Sequence, residues 1–211
     1  MKKQSEILNI LKKTNAIMTN SHFVLTSGLH SGTYLNKDAL YPFTNEASKV
    51  GKLFAEKFKD KDIEIVAAPA LGGIILSQWT AYHLSKLKKK IILGIYTEKT
   101  PDKDQIFTRG YDKLVKGKKV LVIEDLTTTG GSVKKVINSV KKAKGKVVAV
   151  GVMVNRNPKN VNSKTMSVPF YSLGSLIVES YNANNCPLCD KKIPINIYVG
   201  HGKKYLDSLK K

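Results

Sequence analysis

Thirteen consecutive residues, Val120–Ser132, read VLVIEDLTTTGGS. They put two adjacent acids, Glu124 and Asp125, directly before a run of small hydroxyl residues and glycines: Leu126, Thr127, Thr128, Thr129, Gly130, Gly131, Ser132. The run offers backbone N–H groups and hydroxyls. Where such a run opens a helix, the dipole end is positive and a phosphate is held. The glycines let the backbone come close to a ligand. The two carboxylates repel a phosphate but accept hydrogen bonds from vicinal hydroxyls. A phosphate grip beside a diol grip fits a 5-phosphoribosyl group. The sequence holds neither G-x-x-x-x-G-K-[ST] nor G-x-G-x-x-G, so two common nucleotide-binding patterns are absent. A Gly-Gly turn alone would be an ordinary strand-to-helix loop. The acid pair and the threonines point beyond that.

These residues need a strand before them and a helix after them. Val120–Ile123 is apolar and mostly β-branched, which predicts a buried parallel strand. Val133, Val136, Ile137 and Val140 then recur at helical spacing. The same unit occurs earlier. Ile63–Ala68 predicts a strand, Ala70, Leu71, Gly72 and Gly73 a second anion-binding turn, and Ile74, Ile75, Trp79 and Tyr82 a helix. Ile91–Tyr96 predicts a third strand. Thr97–Lys118 is long, charged and poor in apolar residues, as active-site lids are. Val147–Val154 predicts a further strand ending at Asn155-Arg156, and Pro169–Val178 holds a last one, LGSLIV. The alternation over residues 63–154 implies a parallel sheet with right-handed crossovers. Ligands then bind outside the carboxyl ends of the strands. Arg156 stands at such an end, and its planar guanidinium suits a carboxylate. Ahead of this core, Gln4–Lys13 predicts an amphipathic helix. Val24–Thr26 and Thr33–Leu35 predict a hairpin, and Thr44–Phe58 a helix capped by Thr44.

EDLTTTGGS resembles the phosphoribosyl diphosphate (PRPP) signature of the type I phosphoribosyltransferases, in the form found among the orotate enzymes. The similarity runs from about Phe23 to the carboxyl end. It implies one phosphoribosyltransferase domain. That is an α/β fold with an open, mostly parallel twisted sheet flanked by helices (core about 44–180), under a small hood from about 1–43 and 181–211. It implies transfer of the phosphoribosyl group from PRPP to orotate. In that assignment Glu124, Asp125 and residues 126–132 bind PRPP, with Asp125 catalytic, and Ala70–Gly73 form the diphosphate loop. Thr128, Arg156 and Lys37 face orotate. Lys37 belongs to a segment, with Ser27, Gly28, Ser31 and Tyr34, that loosely matches the family. A lysine of the Thr97–Lys118 segment would contact diphosphate. Lys99 is favoured and Lys103 second, because the segment has Glu98-Lys99 and Arg109-Gly110-Tyr111 in place of the common Lys-x-His-Gly. Mg²⁺ would be held mostly by PRPP oxygens and water, not by protein side chains alone. The resemblance also implies a homodimer. A purine-base transferase and a PRPP-sensing regulator are the competing readings.

Composition narrows the classes. A chain of 211 residues can bury one α/β core with an appendage. No apolar run approaches the roughly 20 residues that span a bilayer. The start, MKKQSEILNILKK, lacks a signal-peptide core, so a cytoplasmic enzyme without membrane partners is expected. Thirty-six basic and 16 acidic residues give a net charge of +20, yet only Arg109 and Arg156 are arginine. Nucleic-acid readers favour arginine, so no nucleic-acid partner is expected. The charge suits solubility and attraction of an anionic substrate. Cys186 and Cys189 form a single C-x-x-C, half of a zinc site. His201 is the nearest histidine in sequence, and a reduced pair in a turn around Pro187 is the favoured reading over zinc.

Overall fold

A computed structural model describes residues 2–209. The chain divides into two compact units. One comprises residues up to Ile10 together with Tyr41–Leu176. The other comprises Leu11–Leu40 and the residues from Ile177 onward.

The larger unit carries the sheet. In chain order its main elements are α1 (Thr44–Phe58), β1 (Ile65–Pro69), α2 (Gly72–Lys88), β2 (Leu93–Lys99), β3 (Gln105–Ile106), α3 (Tyr111–Val115), β4 (Lys119–Thr127), α4 (Gly131–Lys142), β5 (Lys146–Asn155), α5 (Ser163–Met166) and β6 (Phe170–Ser175). Six strands line up as β6-β5-β4-β1-β2-β3. All pairings are parallel except β2 with β3. Parallel strands are covered on both faces, which is why the buried runs of β4 and β5 are apolar and rich in β-branched residues. Side chains alternate across the pleat. Val120 and Val122 of β4 join Val133, Val136, Ile137 and Val140 of α4 in one buried cluster. Leu121 and Ile123 point to the other face and are fully buried, as are Phe54 and Phe58 of α1. On that face Phe58 meets Tyr171 of β6 edge-on, ring centroids 5.5 Å apart.

The mostly parallel sheet follows the expected pattern, with local corrections. Helix α1 begins at Thr44 itself, so Phe43 holds the cap position and no side chain caps the helix. Strand β6 spans Phe170–Ser175 and leaves Ile177 outside and exposed. The segment Thr97–Lys118 is not one open loop. Strand β2 continues to Lys99, and β3 turns back on it with Glu98 opposite Ile106 and Lys99 opposite Gln105. Helix α3 follows.

In the smaller unit the hairpin is Phe23–Val24 with His30–Ser31. Tyr34–Leu35 pairs instead with Ile17–Met18. The turn is tighter than the sequence suggested. Leu25 N donates to Leu29 O and Gly28 N to Leu25 O, with Gly28 at φ 81°, so the strands meet earlier. Two isolated bridges, His22 with Ile195 and His30 with Tyr181, join the unit's two chain segments. Cys186-Pro187-Leu188-Cys189 leads into a short helix, Pro187–Asp190, and Gly202–Ser208 forms another.

Candidate active site

Parallel strands bring their carboxyl ends to one edge of the sheet, and the candidate residues of the larger unit lie there. Strand β4 runs further than its apolar core requires. Ala67 of β1 pairs with Val122, and β4 then continues through Glu124 and Asp125 to Thr127. The acids are therefore strand residues, 5% and 4% exposed. Asp125 N donates to Glu124 Oε1 at 3.0 Å, and Leu126 N to Asp125 Oδ1 at 2.6 Å. Tyr41 Oη donates to Asp125 Oδ2 at 3.0 Å. These contacts fix the carboxylate planes before any ligand arrives.

The turn after the acids is closed by its own hydroxyls. Thr127 Oγ1 accepts from Gly130 N at 3.1 Å, and Thr129 Oγ1 from Gly131 N at 3.4 Å. Gly130 lies at φ 78°, where a side chain is strained. A Cβ there would also run into Met166 Cε of α5. Helix α4 starts at Gly131, so its first amides are not used by the helix's own ladder. Thr128, Thr129, Gly131 and Ser132 are exposed at this end. The arrangement can take an anion at the turn and hydroxyls at the acids.

The second turn comes against the first. Ala70 N donates to Thr97 O at 2.8 Å, and the Ala70–Leu71 peptide is cis. Leu71 is exposed at the tip, and α2 starts at Gly72. A Cβ on Gly72 would strike Asp125 Oδ2 and lie 2.5 Å from Tyr41 Oη, so only glycine lets the start of α2 sit this close to the acid. Arg156 joins from β5: its amide donates to Thr127 O at 2.8 Å. Asn155, its neighbour, is held by Nδ2 donating to Val161 O at 2.8 Å.

The lysines of the expected lid are placed differently from each other. Lys99 ends β2, exposed, two residues past the Thr97 that bonds the Ala70 turn. Lys103 sits in the hairpin tip at φ 65°, and its carbonyl accepts from Lys135 Nζ of α4. Arg109 is engaged as a structural cation. Its Nε and its terminal nitrogen bond Glu98 Oε1 at 2.9 and 2.8 Å. The Thr108 hydroxyl first, and the Arg109 guanidinium next, hold the Glu98 carboxyl below the usual carboxylate range.

Three expected site residues lie in the smaller unit. Lys37 opens a single helical turn and pairs with Asp38 at 3.2 Å. Cys186 is buried and Cys189 half-buried, both free thiols. His201 is not beside them: its ring bonds Thr26 Oγ1 at 3.1 Å. The histidines that do adjoin the cysteines are His22 and His30. Sequence reasoning missed these two and Tyr41. Nothing in local spacing marks Tyr41, whose partner lies 84 positions away.

Comparison with known proteins places the chain in a family. The family described as phosphoribosyl transferase domain matches residues 36–172. A protein of Thermoanaerobacter sp. (strain X514) named orotate phosphoribosyltransferase is 41% identical over 91% of this chain and 95% of its own. One of the same name from Thermotoga maritima is 39% identical over 89% of this chain and 94% of its own. Among solved structures, the Mycobacterium tuberculosis H37Rv orotate phosphoribosyltransferase in complex with Fe(III) dicitrate superposes with a TM-score of 0.66 at 20% identity. It covers 82% of this chain and 97% of that one, and it speaks to the fold. With more than half its length inside the matched domain, and relatives of about 40% identity along most of it, this chain belongs to the phosphoribosyltransferase family.

Proposed function

We propose that the chain transfers the 5-phosphoribosyl group of PRPP to orotate, giving orotidine 5'-phosphate and diphosphate. One observation carries the reading. Asp125 is held by Tyr41 on one side and abutted by Gly72 on the other, so the diol-binding acid and the Ala70–Gly73 turn form one continuous cradle. The relatives named for this activity supply the base.

In the reaction a bond forms between the ring nitrogen of orotate and ribose C1, while the bond from C1 to the diphosphate oxygen breaks. The nitrogen's proton is lost to solvent or base, and diphosphate leaves with the bonding electrons. The protein's part is positioning and electrostatics. Residues 127–132 would hold the 5-phosphate, and Glu124 and Asp125 the ribose hydroxyls. Asp125, fixed by its hydrogen bonds, would also face the positive charge that develops on the ring. Ala70–Gly73 would meet diphosphate, and Lys99 the charge that departs with it. Thr128 and Arg156 would orient orotate. Mg²⁺ suits this donor set: the nearby carboxylates are tied to backbone amides, so the ion would rest chiefly on substrate oxygens and water, offsetting the diphosphate charge. The chain would act as a single catalytic domain and as a homodimer in the cytoplasm. No helix among the described residues is long and apolar enough to cross a membrane.

The test is direct. PRPP, Mg²⁺ and orotate mixed with the protein should lose orotate absorbance, and diphosphate with orotidine 5'-phosphate should restore it. Adenine and hypoxanthine should give no turnover. Absence of orotate loss, or turnover of a purine in its place, rejects the proposal.

A further inference from the structure

We infer that the smaller unit holds a structural zinc ion on His22, His30, Cys186 and Cys189. This inference does not depend on the transferase reading, since none of the four residues is among those assigned to catalysis.

The geometry comes first. One ligand atom from each of the four side chains lies within 4.8 Å of the others. His22 Nε2 is 3.8 Å from Cys186 Sγ and 3.9 Å from Cys189 Sγ. His30 Nδ1 is 3.4 Å from Cys189 Sγ. Tetrahedral zinc, with bonds of about 2.3 Å to sulfur and about 2.0 Å to nitrogen, needs sulfur–nitrogen separations of about 3.6 Å. The two ring nitrogens are 2.8 Å apart, and zinc would open them to about 3.3 Å. The three sulfur–nitrogen separations thus lie within about 0.3 Å of metal-bound ones, and the two nitrogens must part by about 0.5 Å to complete the set.

The surroundings are built for ligation. His22 Nδ1 lies 2.8 Å from Ile193 O. A carbonyl only accepts, so Nδ1 carries the hydrogen and Nε2 turns its lone pair inward, as metal-binding histidines are oriented. The backbone of His30 is pinned by a pair of bonds with Tyr181, each 2.8 Å, and His22 O accepts from Asn196 N at 2.7 Å. Tyr205 packs edge-on to the His30 ring at 4.9 Å. The cysteines sit on a tight turn in which Cys186 O accepts from Asp190 N and Cys189 O from Lys192 N. His22 and Cys186 are fully or almost fully buried.

The chemistry selects the ion. Two thiolates and two neutral imidazoles make a borderline-soft tetrahedral set, the choice of zinc over magnesium or calcium. Binding displaces the two thiol protons, and His30 moves its proton to Nε2, so the filled site is neutral. Four protein ligands leave no open position, which makes the role structural. The strands here are two residues long, and the unit's two segments come from opposite ends of the chain. Small units of this kind commonly depend on a metal or disulfide staple.

The experiment uses the full chain, expressed with zinc and purified under reducing conditions without chelator. It should carry about one tightly held zinc per chain by mass spectrometry, as a closed four-ligand site does. Co²⁺ in its place should show the intense visible bands and thiolate charge transfer of a tetrahedral site. Cys186→Ser with Cys189→Ser should lose the metal, while His201→Ala should keep it. If the double variant does not fold, titration of the parent chain with a thiol reagent decides: zinc should leave in step with modification of the two cysteines. A chain that takes up neither ion, an octahedral Co²⁺ spectrum, or zinc that stays when the thiols are blocked would overturn the inference.

Discussion

Replacing Gly72 by alanine tests whether the two turns act as one cradle. The added Cβ would stand 2.5 Å from Tyr41 Oη and 3.1 Å from Tyr41 Cε2, besides striking Asp125 Oδ2. Ordinary contact distances are about 3.5 Å, so the phenol and the carboxylate must retreat by about 1 Å. A misplacement of that size costs about 10²-fold in rate, or roughly 2.7 kcal/mol of transition-state stabilisation. Overpacking also costs about 1–3 kcal/mol of stability, which in a chain of this size lowers Tm by roughly 2–12 °C. The folded protein should therefore survive at 25 °C with kcat for orotate transfer reduced about 10²-fold. Tyr41→Phe alone removes one hydrogen bond to Asp125 and should cost roughly tenfold. In the double variant the phenol oxygen is gone, so the combined loss should be smaller than the product of the single losses. Steady-state kinetics with a thermal melt on each variant measures all of this. Turnover of Gly72→Ala within twofold of the parent would refute the close approach of α2 to the acid.

Other substitutions separate the remaining roles. Asp125→Asn keeps the shape and removes the charge, so kcat should fall by orders of magnitude while Tm barely moves; near-parental turnover would end its catalytic assignment. Arg156→Ala should raise KM for orotate far more than KM for PRPP, and equal effects would reject its place at the base. Lys99→Ala should lower kcat by about 10²-fold or more, with Lys103→Ala much milder, because losing a donor to developing charge has that cost; the reverse order would transfer the role to the hairpin tip. The Glu98 carboxyl is held low in the folded protein by Thr108 and Arg109, so the stability it lends is present above the ordinary glutamate value of 4.5 and lost as pH falls through the folded value. Protease resistance of the 97–109 hairpin should fall with acidification below about pH 4.5 in the parent and be flat with pH in Glu98→Gln.

The parts that could be read from the sequence are those whose causes are local. The acids, the hydroxyl turn and the helix face of α4 lie within one stretch, and each type has a chemical reason to stand next to the other. The β-branched runs of β1, β4 and β5 announce strands buried on both faces. What stayed hidden depends on pairing across long separations. Tyr41 reaches Asp125 from 84 residues away, and His22 meets Cys186 from 164. The C-x-x-C drew attention to His201 because that histidine is near in sequence, yet the bridge of His22 to Ile195 brings a different ring to the cysteines. The fold of the 97–118 segment stayed hidden for another reason. Its charge and length resemble an open lid, but Glu98, Thr108 and Arg109 satisfy one another, and Ser139 of α4 bonds the Gln105 carbonyl. Charged residues that pair among themselves fold a hairpin that a hydrophobic pattern does not reveal.

The same accounting of charge explains why a chain with a surplus of 20 positive charges places its buried acids where it does. At the amino edge of the sheet, Asp62 meets Lys90 and Lys119, and Glu64 meets Lys118. Helices α2 and α4 end toward that edge with lysines in their last turns, which suits their negative dipole ends. At the carboxyl edge the pattern inverts. Helix α1 carries Glu46 in its first turn, but α2 and α4, the helices that follow the two phosphate-type turns, carry no first-turn acid at all. An acid there would fill the positive dipole end from within the protein. Glu124 and Asp125 instead stop at the strand end, turned onto the amides of Asp125 and Leu126. The starts of α2 and α4 are thereby left without an acid of their own, which suits the anion-binding role proposed for the two turns.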